Sequence, residues 1–323
     1  MEQTLVEWED GWRVRLPLPF ELRWIHAYLL RDSEGYTIID CGLNDDQAWE
    51  TWQTVFDHLH IKPREIRRIV LTHYHPDHYG MAGKLQQYTG AEVWMSALTK
   101  QYAERFWSRD GRHLEKIAES YRGYGLPAAA AEDMKRNMQS LRDRVYPRPD
   151  PKIFNPGDTF SLGGRTYEVW HTPGHAEDHV SFYDPKREWL IGGDILLRKI
   201  TPNISLYPGG DPNSLHTFFT TLATLEKKNI RKVWPAHGPV FDDVHVRIQE
   251  LYQHHEERLQ EIEQLVDGTR SAYDICLRLF GTELSIHNLR FAMAETLAHL
   301  EYLRKDDRLT LVDTGEIRIY EPA

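Results

Sequence analysis

The chain has 323 residues, of which 41% are hydrophobic and 27% are charged, and its formal net charge at pH 7 is −10. This composition excludes a disordered chain, and no apolar run is long enough for a membrane-spanning helix. The negative charge argues against a general nucleic-acid binder, because such binding depends on neutralising phosphates.

Two features of the chain bear on its cellular compartment. The first ten residues are acidic and lack the basic and apolar regions of a secretory signal, so a cytoplasmic location is expected. The two cysteines, Cys41 and Cys276, are too few for a disulfide framework and lack the Cys-x-x-Cys spacing of a zinc ribbon. We expect both to be small buried thiols.

Strand and helix patterns alternate along the first hundred residues. The predicted elements are a β region at 12–43, a helix at 45–59, a strand at 66–72, a helix at 81–88 and a strand at 91–95. This alternation predicts an α/β layered domain. Asp40 follows an apolar strand within the β region, where it either caps a turn or orients a metal-binding histidine.

The loop after the strand at 66–72 holds four residues of metal-ligand type within six positions: His73, His75, Asp77 and His78. Neutral imidazole and carboxylate are the ligands that suit zinc and its neighbours. His73 and His75 can turn to the same side of an extended loop and bind one ion, while Asp77 and His78 open the next helix and can face a second. Burying these side chains without a metal would leave several polar groups unpaired. The loop therefore predicts half of a site for two metals.

Residues 97–150 interrupt the alternation with helical stretches at 97–107, 113–124 and 128–145. They hold 11 Lys and Arg against 8 Asp and Glu, so the segment is mildly basic in an acidic chain. Two interpretations remain open. The segment is either a solvated helical insertion or a lid over the metal loop, whose arginines and aromatic residues contact an anionic or acyl substrate.

Ligand-type residues follow three further strands in the second half of the chain. The predicted strands are 159–162, 167–170, 180–183, 189–191 and 232–234, with a helix at 214–227 before the last. His175 comes after the second of these strands, Asp194 after the fourth and His237 after the fifth. Ligands so far apart in sequence can converge only if their strand ends share one edge of a sheet.

The last part of the chain is mainly helical. Helices are predicted at 246–266, 272–280 and 286–303, and a hairpin at 309–320. This order resembles a winged-helix module, which suggests DNA binding. However, residues 246–323 hold 9 Lys and Arg against 15 Asp and Glu, so packing or homodimerisation is the favoured role.

The motifs His73-Tyr74-His75-Pro76-Asp77-His78, Thr172-Pro173-Gly174-His175, Gly193-Asp194 and Pro235-Ala236-His237-Gly238 resemble those of the metallo-β-lactamase superfamily. This resemblance covers roughly residues 12–245 and implies an αββα sandwich with metal-dependent hydrolase activity. The last 78 residues are similar to the tail of the β-lactamase-like protein 2 group. The implied division is a catalytic domain at 1–245, including the helical insertion, and a winged-helix-like module at 246–323.

The resemblance also implies a ligand set for two zinc ions per chain, with iron or manganese as alternative metals. One ion is held by His73, His75 and His175, the other by Asp77, His78 and His237, and Asp194 bridges them. A hydroxide shared by the two ions would be the nucleophile. Asp77 is the candidate catalytic residue that takes up the proton released by this nucleophile. His171 and His179 either support the ligands or are ordinary loop histidines.

The main functional hypothesis is hydrolysis of an ester, thioester or lactone, with a small acyl compound as substrate and no membrane partner. One alternative is phosphodiester hydrolysis on RNA, suggested by the tail and the basic insertion. Another is persulfide oxidation by a single iron. Members with two redox-active irons have a glutamate in place of the second histidine of the loop, so His75 argues against them.

Overall fold

The computed structural model describes residues 4–323 and places two β-sheets face to face. The first sheet has seven strands in chain order: β1 (Leu5–Trp8), β2 (Gly11–Pro17), β3 (Trp24–Asp32), β4 (Gly35–Ile39), β5 (Ile66–Val70), β6 (Glu92–Ser96) and β7 (Pro151–Phe154). Strands β1 to β4 pair antiparallel, and β4 to β7 pair parallel. The carboxyl ends of β4, β5 and β6 therefore lie at one edge of this sheet.

The second sheet has five strands in the order β12-β11-β10-β9-β8. Its strands are β8 (Thr159–Leu162), β9 (Arg165–His171), β10 (Val180–Asp184), β11 (Trp189–Gly193) and β12 (Lys232–Pro235). All pairs are antiparallel except β11 with β12. The parallel pair brings the residues that follow β11 and β12 to the same edge.

A buried apolar layer lies between the two sheets. It combines Tyr28, Leu30, Ile39, Val70 and Phe154 from the first sheet with Leu162, Tyr167, Val169, Val180, Phe182, Ile191 and Trp234 from the second. These side chains alternate along their strands with residues that face the helices, as expected for strands buried on both faces. Burying this layer fixes the two sheets relative to each other.

Helices lie outside the two sheets; those at 46–58, 82–89 and 97–106 pack on the first sheet, and those at 112–122 and 128–143 pack on each other. They are α1 (Asp46–His58), α2 (Pro76–Tyr79), α3 (Ala82–Thr89), α4 (Ala97–Phe106), α5 (Arg112–Arg122), α6 (Ala128–Asp143) and α7 (Ser214–Glu226). The side chain of Asp45 accepts a hydrogen bond from the Ala48 amide and caps α1. Trp52 anchors the same helix by donating from Nε1 to the Cys41 carbonyl at 3.0 Å. The predicted αββα sandwich is confirmed.

The C-terminal part contains α8 (Val244–Leu265), α9 (Ala272–Phe280), α10 (Ile286–Lys305) and an antiparallel hairpin of β13 (Leu309–Asp313) and β14 (Arg318–Pro322). This is the predicted order of elements. Helix α10 is buried along most of its length and packs against α6 and α7. A domain boundary at residue 245 stays a prediction, because the apolar core is continuous across it.

The sequence patterns located the helices to within a few residues but missed two strands, β1 and β7. Both have four residues, lie at the edges of the first sheet, and expose two of their side chains. β7 also begins with Pro151, which is tolerated at the first position of an edge strand. Both cysteines are free and buried, as expected. Within residues 4–323, no helix is both long and apolar enough to cross a membrane.

Two buried histidines of the C-terminal helices contact each other. Nδ1 of His255 lies 3.0 Å from Nε2 of His299, and neither side chain is accessible to solvent. His299 Nδ1 donates to the Glu295 carbonyl at 2.8 Å, so its Nε2 accepts the proton of His255. Burial lowers the pKa of His299 to about 4 and holds the pKa of His255 well below its usual value. Both side chains are therefore neutral at pH 7.

This pair predicts loss of stability in acid. Between pH 6.5 and about 4, the unfolded chain binds protons at these histidines that the folded chain does not, so the free energy of unfolding falls as pH falls. The His299→Gln variant should lose less stability over this range, by on the order of 3 kcal/mol. Denaturant unfolding of both proteins at several pH values measures the difference. His216→Gln, at an exposed position of α7, is the control, and a wild-type slope in His299→Gln would contradict the prediction.

Candidate metal centre

The ligand-type residues identified in the sequence converge at one edge of the sandwich. Each follows a strand end: the loop of His73 to His78 follows β5, while His175, Asp194 and His237 follow β9, β11 and β12. The two sheets are joined at this edge, because the Val180 amide donates to the Thr72 carbonyl at 2.9 Å. All seven predicted ligands therefore lie in one region.

Three of these histidines form the first cluster. His75 Nδ1 lies 3.0 Å from His73 Nε2 and 2.9 Å from His175 Nε2, so three ring nitrogens point at one position. Burial, followed by the neighbouring imidazoles, holds the pKa of His73 and of His75 well below the usual value. Burial also lowers the pKa of His175. The cluster thus offers neutral imidazoles, which is the form that binds metals.

The second cluster contains Asp77, His78 and His237. Asp77 Oδ2 lies 3.4 Å from His237 Nε2 and 3.7 Å from His78 Nε2. Burial by itself would raise the pKa of Asp77, but the two imidazoles hold it below its usual value. Burial would likewise lower the pKa of His237, yet Asp194 and Asp77 raise it to about 10. The carboxylates of Asp77 and of the neighbouring Asp194 therefore favour a positive charge at this cluster.

Asp194 lies between the two clusters. Its Oδ2 is 3.4 Å from His175 Nε2 and 3.3 Å from His78 Nε2, and its Oδ1 is 3.5 Å from His237 Nε2. The carboxylate is buried and contacts both sets of ring nitrogens. This is the position that a bridging ligand would occupy.

Several atoms of the two clusters fit a bound cation. His78 Nε2, His237 Nε2 and Asp194 Oδ1 are buried, and none has a hydrogen-bond partner in the described part of the chain. Buried polar atoms are normally paired, and unpaired ones are costly. Divalent metal ions would pair these atoms and supply the positive charge that Asp77 and Asp194 demand. The imidazole and carboxylate donors also match the preference of zinc, iron and manganese.

Asp40 orients one of the candidate ligands. Its Oδ2 lies 2.8 Å from His78 Nδ1, and Oδ1 accepts from the Thr72 amide at 2.9 Å. The Thr72 hydroxyl adds further hydrogen bonds to this carboxylate and lies 2.9 Å from His73 Nδ1. The sequence left open whether Asp40 caps a turn or orients a metal-binding histidine. These contacts favour the second role, because the hydrogen bond to Nδ1 directs Nε2 of His78 at the second cluster.

His179 and His171 have different positions. His179 is buried, and its Nε2 accepts from the Asp194 amide at 3.0 Å, which fixes the backbone of that residue. A side chain at Gly193 would collide with this ring, since its Cβ would lie 2.5 Å from His179 Nε2. His171, the last residue of β9, is exposed and contacts the Glu177 carbonyl, and it does not contact the candidate ligands.

Asp178 was not identified from the sequence. It is fully buried, and its Oδ2 accepts from the Tyr74 amide, between His73 and His75, at 2.8 Å. Burial raises its pKa to about 7. Its position between His175 and His179 is the only sequence signal that could have revealed this contact with the ligand loop.

A cavity of about 440 Å³ opens directly onto both clusters. The helical insertion supplies one apolar wall, consisting of Phe106, Trp107, Leu114, Ile117, Met138 and Leu141. Trp107 also ties the insertion to the ligand loop, because its Nε1 donates to the Tyr74 carbonyl at 2.9 Å. Phe106 and Trp107 are therefore the aromatic residues of the insertion that line the cavity, and their contact with a substrate stays a prediction. None of the arginines of the insertion is among the described residues that line the cavity.

The opposite wall comes from parts of the chain that sequence reasoning did not assign to the site. The start of α10 supplies His287, Asn288, Arg290 and Phe291, and the segment before β3 supplies Phe20 to Leu22. His287 stacks on Phe20 with ring centroids 4.2 Å apart. The packing role predicted for the C-terminal part therefore includes a share of the cavity lining.

Comparisons with known proteins agree with this geometry. A protein-family model, that of the metallo-beta-lactamase-like C-terminal domain, matches residues 259–320 of this chain. The chain is 26% identical to the probable metallo-hydrolase YqjP of Bacillus subtilis, with 94% of each chain covered. It is 24% identical to an atrochrysone carboxyl ACP thioesterase of Pseudocercospora fijiensis, over 71% of this chain and 68% of that protein.

Solved structures with the same architecture are also known. A metallo-beta-lactamase family protein of Thermus thermophilus superposes with a TM-score of 0.86, at 30% identity and over 99% of both chains. The protein-family model of the metallo-beta-lactamase superfamily matches residues 25–237, which is more than half of the chain. The protein therefore belongs to the metallo-beta-lactamase superfamily, and its similarity to a metallo-hydrolase and to a thioesterase supports hydrolase activity in general.

Proposed function

We propose that the protein is a dinuclear zinc hydrolase that cleaves acyl thioesters or related esters. The observation that carries this proposal is the largely apolar cavity, which opens onto the two clusters of candidate ligands. An acyl chain can be buried against the wall formed by the insertion while its carbonyl reaches the clusters. Apolar surface removed from water would then contribute to substrate binding.

Each predicted ligand has a role in this proposal. His73, His75 and His175 would hold one ion, Asp77, His78 and His237 would hold the other, and the carboxylate of Asp194 lies between the two sets. When bound, the two ions supply an activated water and polarise the carbonyl that is attacked. Asp77 is the most accessible carboxylate of the centre, with 18% of its side chain exposed against 8% for Asp194. It lines the cavity and is placed to take up a proton there.

The thioester is preferred among acyl substrates because a similar protein is named an ACP thioesterase. The alternative of RNA cleavage is less well supported, because most of the described residues around the cavity are apolar and the C-terminal part is acidic. Phosphodiester backbones are usually bound by basic surfaces. Oxidation of persulfides by a single iron would require only one occupied cluster, so metal analysis separates this alternative from the proposal.

A chain-length series tests the proposal. The zinc-loaded protein should hydrolyse N-acetylcysteamine thioesters with kcat/KM rising by up to about fourfold per added methylene until the cavity is full. Chelation should abolish the activity, and readdition of zinc should restore it. Labelled single-stranded RNA and a persulfide are assayed in parallel, also with iron and manganese. Cleavage of RNA, or persulfide oxidation by the iron form, with no thioester turnover would refute the proposal.

A further inference from the structure

One side chain of the cavity is not accounted for by the metal centre. Arg290, near the start of α10, is the only arginine or lysine among the described residues that line the cavity. It forms no ion pair within the described part of the chain. Its Nη1 donates to Tyr207 Oη at 3.0 Å, while its Nε is buried without an acceptor. An unpaired cation beside an apolar cavity is costly unless a ligand supplies the negative charge.

Tyr207 completes the arrangement. Its hydroxyl accepts from Arg290, and no acceptor for its own proton is found among the described residues, so this proton is available to a ligand in the cavity. The segment that carries Tyr207 is fixed to α10, because the Leu206 amide donates to the Ala294 carbonyl at 3.1 Å. Phe291 supports the guanidinium from one side, with its ring centroid 4.0 Å from the central carbon.

The carboxylates on the metal side do not neutralise Arg290. Asp77 and Asp194 contact the imidazoles of the two clusters instead. Glu21 also lines the cavity, but it is exposed to solvent and forms no ion pair with Arg290. The cavity therefore has a metal centre and, separately, a cationic donor group on the wall formed by α10.

We propose that Arg290 and Tyr207 form a binding site for a carboxylate or phosphate group of the substrate. This proposal rests on the proposed thioesterase function and adds that the substrate is anionic at a point removed from the scissile bond. Arginine suits this role because its planar guanidinium can donate two parallel hydrogen bonds to such a group. The anion belongs either to the far end of the acyl chain or to the thiol that leaves.

Two matched pairs of substrates distinguish these sources. The first pair consists of the octanoyl and suberyl thioesters of N-acetylcysteamine, which differ by a terminal carboxylate. The second pair consists of octanoyl pantetheine and octanoyl 4′-phosphopantetheine, which differ by a phosphate. Wild type should prefer the anionic member of one pair by about tenfold or more in kcat/KM, as expected for a charge-assisted hydrogen bond. In Arg290→Gln this ratio should fall to near one, and in Tyr207→Phe it should fall partially.

Arg278→Gln is the matched control, because Arg278 is an exposed arginine of α9 that makes no contact with the cavity and should keep the wild-type ratio. Thermal melting confirms that each variant is folded. A wild-type enzyme with no preference in either pair would overturn the proposal, as would an unchanged ratio in Arg290→Gln.

A binding measurement separates this proposal from the proposed function. Calorimetry with the N-methyl amides of suberic and octanoic acid, and with free 4′-phosphopantetheine and pantetheine, requires no hydrolysis. If no thioester is hydrolysed, the thioesterase function fails, but tighter binding of an anionic probe by wild type than by Arg290→Gln still supports the anion site. Equal binding of every probe by the two proteins would overturn the site itself.

Discussion

Replacing His75 and Asp194 together by alanine is expected to remove metal binding and to lower hydrolysis by at least about a thousandfold. His75 Nδ1 lies within 3.0 Å of two other imidazoles, and the carboxylate of Asp194 contacts histidines of both clusters. The double variant therefore damages both candidate metal positions. Metal content after dialysis and turnover of the thioester series measure the two effects.

His171→Ala is a suitable control for this experiment. It removes an imidazole from the end of β9, close to His175 in sequence, but this side chain is exposed and lies outside both clusters. The control should retain metal and activity. If the double variant binds two equivalents of metal and turns over thioesters at the wild-type rate, the assignment of the centre is wrong.

Asp40→Asn is expected to weaken metal binding by about 10- to 100-fold without removing any ligand. Both carboxylate oxygens of Asp40 are used: Oδ2 accepts from His78 Nδ1, and Oδ1 accepts from the Thr72 amide. An asparagine has one acceptor oxygen, so its amide group would face one of these donors. His78 would then lose the contact that directs its Nε2 towards the cluster. Competition with a chelating dye measures the affinity for zinc.

Asp150→Asn controls for the loss of one negative charge, because Asp150 is exposed and its carboxylate has no hydrogen-bond partner in the described part of the chain. This variant should bind zinc as the wild type does. Equal zinc affinity for Asp40→Asn and the wild type would show that Asp40 is a structural turn residue and that His78 is oriented by its other contacts.

The candidate ligands could be found in the sequence because each follows a strand end within a few residues. His73, His75, Asp77 and His78 are so dense that chemistry alone indicates a metal. His175, Asp194 and His237 could be assigned to the same site because each follows a predicted strand and belongs to a family motif. The longer helices were also predictable, because their apolar periodicity extends over two or more turns.

The cavity and the contacts around the ligands could not be derived in this way. Whether Asp40 caps a turn or holds His78 depends on a hydrogen bond between residues 38 positions apart. Arg290 and Tyr207 are 83 positions apart, and no local pattern distinguishes Arg290 from other arginines of the C-terminal helices. The insertion has a surplus of basic residues, yet it supplies apolar cavity walls. The net charge of a segment does not show which of its side chains face a cavity, because that depends on how the segment packs.

The walls of the cavity and the candidate metal ligands are carried by different parts of the chain. The candidate ligands are held at strand ends by buried partners such as Asp40 and His179. The walls come from α4 to α6, the start of α10, the segment before β3 and the segment between β11 and α7. A substitution on a wall can therefore alter which acyl group fits without moving a ligand. Proteins with this arrangement can differ in substrate while they catalyse the same type of reaction. The insertion and α10 are therefore the regions to exchange when a new specificity is engineered.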